Sequence, residues 1–169
     1  MANLNIIKVI LLITGIMCSV QGAAEGSDNS PLAIGLFPPL QLPGSNYGVK
    51  GLRLSIVGVH REVRGLDLGL LGNVTDVTFT GVAISGLFNY NRGNSTVTGL
   101  QVAGLANLNS GPSEVYGVQI AAYNNVGTVH GLQLGLLNIA NELHGIQIGL
   151  FNINRKGPFH GSPIINAAF

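Results

Sequence analysis

His130, His144 and His160 each stand directly before a glycine. In a fold that stacks successive repeats, imidazoles at one repeated position come together and offer nitrogen donors to zinc or copper. The same position upstream holds Lys50, Arg64, Thr80, Thr98 and Tyr116. An outward corner that accepts any polar or amphipathic residue therefore explains the histidines without a metal. The expectation is no metal and no cofactor, with these three histidines as the only candidates. A second column, Gln101, Gln119, Gln133 and Gln147, lies two residues after its glycine. It is a candidate interaction face for a sugar or a flat partner, but side-chain hydrogen bonding that holds stacked strands in register is the favoured reading. The remaining chemistry is sparse. The carboxylates Glu25, Asp28, Glu62, Asp67, Asp76, Glu114 and Glu142 show no repeated spacing that would pair two for acid–base work. Nucleophile elbows and phosphate-binding loops are absent from the sequence, so no enzyme is expected.

These columns exist because the chain repeats. Glycines that open similar units fall at 51, 65, 81, 99, 117, 131 and 145, with a looser one at 161. Around each marker glycine up to Gly145 the positions one and three residues later are Leu, Val or Ile, with a more polar position between them. Alternation of this kind is the period-2 signature of a strand with one buried face, and the aliphatic positions are expected to form that face. A small residue follows four after the marker, which points to close backbone approach. Asn then recurs at 73, 89, 107, 124, 138 and 152 and is expected to turn the corner through its tolerance of left-handed backbone. An apolar residue also stands two before every marker, from Val49 to Phe159. If that residue and the one after the glycine share a core, the chain must bend at the glycine. Arg53 and Asp67 occupy the glutamine column one unit apart, where a surface pair would contribute under about 1 kcal/mol.

Units of one grammar and one direction predict an all-β, parallel β-solenoid of about seven to eight rungs, each of 14–18 residues. The alternative is an eight-stranded outer-membrane β-barrel with Leu132, Leu134 and Leu136 facing lipid. A barrel predicts short turns alternating with long loops, and the unit lengths do not alternate.

The chain before and after the repeats is different in character. Residues 1–24 read as a secretory signal peptide: Lys8, an apolar run from Val9 to Val20, then Gly22, Ala23 and Ala24. Cys18, the only cysteine, lies inside it, so disulfides play no part in the expected mature chain. Residues 25–46 form a linker and N-terminal cap in which Pro38, Pro39 and Pro43 forbid a central strand. Residues 47–157 are the repeat domain, and 158–169 a C-terminal cap or closing strand. With eight Lys and Arg among 169 residues there is no basic face for nucleic acid.

The stretches GLDLGLLGN, GVQIAAYNN, GLQLGLLN and GIQIGLFN, with Gly157-Pro158 and the terminal PIINAAF, carry a resemblance. Over residues 51–169 the chain resembles bacterial surface-repeat proteins built on Gly-Leu-Gln-Ile-Gly-Leu-x-Asn units, described from leptospires and other Gram-negative lineages. The units 81–89 and 99–107 depart from that pattern by one extra residue before the Asn, which predicts a shifted corner. The resemblance implies an exported, envelope-associated protein and no particular activity. The expected function is an exported, non-catalytic repeat protein with a structural or surface-interaction role in a bacterial envelope, with an envelope partner or membrane association. A small barrel with an anchoring or permeability role, and a carbohydrate-binding solenoid, are the alternatives.

Overall fold

The computed structural model describes residues 29–169, so the expected signal peptide and the first linker residues lie outside the described residues. Ten strands form one coiling sheet: β1 (Asn29–Phe37), β2 (Leu40–Leu42), β3 (Gly48–Ser85), β4 (Phe88–Asn91), β5 (Thr96–Ala103), β6 (Ala106–Asn109), β7 (Glu114–Ile120), β8 (Tyr123–Leu134), β9 (Leu137–Asn154) and β10 (Gly161–Ala168). Successive coils pair in parallel with marker glycine on marker glycine: Gly81 with Gly99, Gly99 with Gly117, Gly117 with Gly131, and Gly131 with Gly145. The short legs stack in parallel too, Asn73 on Asn89, Asn107, Asn124 and Asn138 in turn. A one-coil offset in one direction is a β-solenoid. An up-and-down barrel pairs every neighbour antiparallel and closes its sheet. Here antiparallel pairing is confined to the two ends, where β2 folds on β1 and β10 on β9, so the barrel alternative is set aside.

The seven marker glycines, one per coil, have φ between 127° and 148°, a region that L side chains rarely adopt. A Cβ on Gly131 would collide with the carbonyl oxygen of Gly117, and the same collision repeats down the column. The glycine is therefore both a departure from ordinary strand geometry and a point of closest backbone approach. A second bend follows at residues 86–87, 104–105, 121–122 and 135–136, each linking a long leg to a short one. The extra residue of the longer units is absorbed there. Pairing moves from Val102–Ile120 to Ala106–Tyr123, four steps along one coil against three along the next. The other extra residues form the loops 92–95 and 110–113, where Gly93 and Gly111 adopt φ of 68° and 70°.

The apolar filling is narrow. The residue two before each marker (Val49, Val63, Phe79, Val97, Val115, Val129 and Leu143) is at most 3% exposed, and the column packs with Val126 and Ala140 in one cluster. At the N-terminal end β1 extends the stack, Leu32 beside Leu52 and Ile34 beside Leu54, before the turn at Pro38-Pro39. At the other end β10 runs back over β9, placing Ile165 against Ile148.

Candidate functional site

The alternation that makes the strands is turned over relative to expectation. Gln101, Gln119, Gln133 and Gln147 are at most 1% exposed, whereas the Leu, Ile and Val residues on either side of them lie on the outer surface. The glutamines are thus not an outward interaction face. They are the hydrogen-bond ladder: Gln119 Nε2 donates to Gln101 Oε1 at 3.0 Å, Gln133 to Gln119 at 2.9 Å and Gln147 to Gln133 at 2.8 Å. Burial of so many amides is tolerated because each finds its partner one coil away.

Asparagine forms a second ladder. Asn73 donates to Asn89, Asn89 to Asn107, Asn107 to Asn124, Asn124 to Asn138 and Asn138 to Asn152, at 2.8–3.1 Å. The same Nδ2 reaches a backbone carbonyl near the bend of the next coil, as from Asn138 to Ile148 at 2.9 Å. Asparagine therefore stitches the corner from inside and does not turn it by a left-handed backbone. Among the described residues only Ile164 is a non-glycine with positive φ. The asparagine ladder donates toward the C-terminus and the glutamine ladder toward the N-terminus, so the two columns of amide dipoles oppose each other.

The first coils replace the glutamine ladder with charge. Arg53 and Asp67 are fully buried, and their contact is bidentate, with Nε to Oδ1 at 2.7 Å and Nη2 to Oδ2 at 2.5 Å. This corrects the surface pair expected from sequence. The inward orientation of the glutamine column carries its two charged members inside as well. Arg53 Nη1 also donates to the Val74 carbonyl at 3.0 Å and lies 3.3 Å from His60 Nδ1, while His60 Nε2 meets the Pro43 carbonyl at 3.2 Å. Burial first, and then the guanidinium, lowers the His60 pKa to about 4, so the ring is neutral near pH 7. Burial likewise pushes the Asp67 carboxyl up, against the opposing pull of Arg53.

Two of the three histidines meet. Tyr116, His130 and His144 stack down the outer corner with ring centroids 4.6 Å apart and planes within 5° of parallel. In-plane nitrogen lone pairs on parallel rings run side by side and do not converge on one ion. His160 is elsewhere, its carbonyl accepting from the Asn154 amide at the far end of β9. Among the described residues no three His, Cys, Asp or Glu side chains are grouped to hold a metal. The stack ends in an exposed ionic edge, where Glu142 meets His144 at 3.2 Å and Lys156 at 3.1 Å. Lys156, then His144, holds the Glu142 carboxyl below its usual range.

With the amides inside, the aliphatic residues form an outer wall. The column three after each marker runs Leu54, Leu68, Ile84, Val102, Ile120, Leu134 and Ile148, and the end strands extend it with Ile34 and Ile165. A ridge projects further: Leu105 and Leu136 at the second bend, and Leu70 and Leu150 within β3 and β9, are 57–68% exposed, with Ala122 in the coil between Leu105 and Leu136. From each marker glycine to that bend the only charged residues are Arg53 and Asp67, and both point inward. Nine strands about 4.8 Å apart make the wall about 38 Å long. Beside it runs the column before the glycines, with Lys50, Arg64, Tyr116, His130 and His144 and no carboxylate; Glu62, Glu114 and Glu142 lie two residues further from the wall. Sequence reasoning had these aliphatic residues as core and so missed the wall. Comparison with protein-family models, with curated proteins and with solved structures finds no match to this chain.

Proposed function

We propose that this chain is an exported, non-catalytic β-solenoid that serves a bacterial cell envelope as a structural or surface-interaction element, working through its outer faces. The observation that carries the reading is the inside-out distribution of polarity. The inward amides are committed to ladders, the inward charges to each other, and a continuous apolar wall free of charge is turned outward. Exposed aliphatic surface of this extent marks an interaction site, since monomeric proteins rarely carry apolar patches beyond a few hundred Å². The leader-like residues 1–24 and the resemblance to Gram-negative surface-repeat proteins support the compartment.

Fractionation of a Gram-negative cell producing the chain is the test. The expected result is recovery in the envelope fraction, with the N-terminus of the recovered protein lying near residues 23–25. Recovery in the cytoplasm with the leader intact overturns the proposal.

A further inference from the structure

We infer that the apolar wall is a lipid-contacting face, with its leucine ridge entering the acyl region of one leaflet while the solenoid lies on the membrane surface. This rests on the envelope reading above and names what the wall meets there. Three features select a bilayer over a second copy of the chain or another rigid protein.

The first is shape. Leu105 and Leu136 stand on the bend itself and are the most exposed large apolar residues of their coils, 59% and 57%, so the wall is convex, with half-buried apolar residues such as Leu108 and Ile139 continuing beyond the bend. A rigid partner touches one plane or the ridge line of such a surface. Acyl chains wrap both sides. The wall on the marker-glycine side covers about 600 Å², from its 38 Å length and the roughly 16 Å spanned by five extended residues. That flat footprint is at the lower edge of the about 600–1,000 Å² each partner contributes to a standard protein interface, so convexity and not area is what disfavours a rigid partner.

The second is charge. The wall carries no outward charge, and the column bordering it has cations and amphipathic rings, Lys50, Arg64, Tyr116, His130 and His144, without a carboxylate. Apolar surface edged by basic and aromatic residues is the arrangement of interfacial membrane proteins, where the border sits among phosphates. Glu62, Glu114 and Glu142 stand one column outward, and two of them reach back to the border, Glu114 accepting from the Tyr116 hydroxyl at 2.9 Å and Glu142 lying 3.2 Å from His144, so the basic part of the border is its Lys50 and Arg64 end.

The third is the lack of recognition detail. Leu, Ile and Val interchange freely along the wall columns, and the wall offers no polar side chains to fix a register with a protein partner. Fluid hydrocarbon needs none.

The chain contains no tryptophan, which gives a direct test in the full-length protein. Leu105→Trp and, separately, Leu136→Trp each place one indole on the ridge, and Thr96→Trp places one on the polar side, where Thr96 is exposed. Each variant is mixed with phosphatidylcholine vesicles, with and without phosphatidylglycerol, whose acyl chains are unlabelled or brominated. The expected result is a blue-shifted ridge emission that brominated chains quench, with the Thr96→Trp emission unshifted and unquenched. Because the comparison is between faces of one tethered molecule, the apolar leader does not produce this pattern. Ridge emission that stays red in both lipids overturns the inference, as does a blue shift that bromine fails to quench, which is the signature of a second copy covering the wall. Equal quenching at positions 96 and 105 overturns it as well. If the protein fractionates with the envelope but the ridge is not quenched, this inference fails alone. If the ridge is quenched but the protein is never exported, the functional proposal fails alone.

Discussion

Replacing the buried ion pair with the residue that fills the same column elsewhere tests the inside-out assignment most directly. Arg53 and Asp67 occupy the inward position that Gln101, Gln119, Gln133 and Gln147 hold further along, and all are at most 1% exposed. Arg53→Gln leaves the Asp67 carboxylate without a counter-charge in a site already costly for it, and removes the bond to the Val74 carbonyl. Breaking a buried pair from one side costs about 3–5 kcal/mol, a large part of a domain's typical 5–15 kcal/mol. Asp67→Gln strands the guanidinium and costs a similar amount. The double variant Arg53→Gln/Asp67→Gln sets two amides one coil apart, the spacing at which Gln133 donates to Gln119 at 2.9 Å. It should therefore lie within about 1 kcal/mol of the parent or exceed it, because neutral replacements of buried pairs are often neutral or stabilising. Urea unfolding followed by circular dichroism at pH 7, with hydrogen exchange over residues 48–75 to localise the effect, gives the four stabilities and their coupling. A double variant as unstable as either single one, or an Arg53→Gln variant within about 1 kcal/mol of the parent, refutes the buried, ladder-like geometry.

Three further outcomes follow from the same architecture. Asn107→Leu, which strands the Asn89 donor, the Asn124 acceptor and two backbone carbonyls, should lose about 3 kcal/mol or more, whereas Leu105→Ser on the ridge should change stability by about 0.5 kcal/mol; equal costs in thermal melts would put the polarity the other way round. Gly131→Ala forces a Cβ against the Gly117 carbonyl at φ 141° and should cost about 3 kcal/mol or more, while Gly44→Ala, with open space around it, should be close to neutral by the same measurement. His60, whose pKa is lowered to about 4, stabilises the fold fully above its unfolded value of 6.5, and this contribution, about 3 kcal/mol, is lost as pH falls through about 4. His60→Gln should flatten that part of the stability–pH curve between pH 6.5 and 4, and an unchanged slope would remove His60 from the account.

Strands, repeat length, coil boundaries and the loops after asparagine were legible because they depend on spacing alone. Marker glycines at one position in every unit, with a Val, Phe or Leu two before them, specify a bend and a buried column whichever way the rest faces. The direction of the alternation was not legible from hydrophobicity, since Leu-Gln-Leu reads by default as apolar-in and polar-out. In a stacked fold that default has a competitor: an amide column can be buried at no net polar cost when each member donates to its copy one coil away.

The competitor leaves its own mark on the sequence. A ladder requires the same residue in successive coils, because a side chain of another length breaks the chain of donors, whereas an outward aliphatic position imposes no such demand. Asn holds its column at all six positions from Asn73 to Asn152, and Gln holds four in succession from Gln101 to Gln147, while the wall columns pass through Leu, Val and Ile. The rest of that column is equally telling: Ala83, too short to donate, ends the glutamine run, and beyond it Arg53 and Asp67 are adjacent and of opposite sign, the only form in which charge enters such a column without a lone buried ion. In a chain of stacked repeats, then, identity from coil to coil identifies the inside better than hydrophobicity does. By that criterion the aliphatic wall, variable in residue and constant in character, is the surface this solenoid presents to its surroundings.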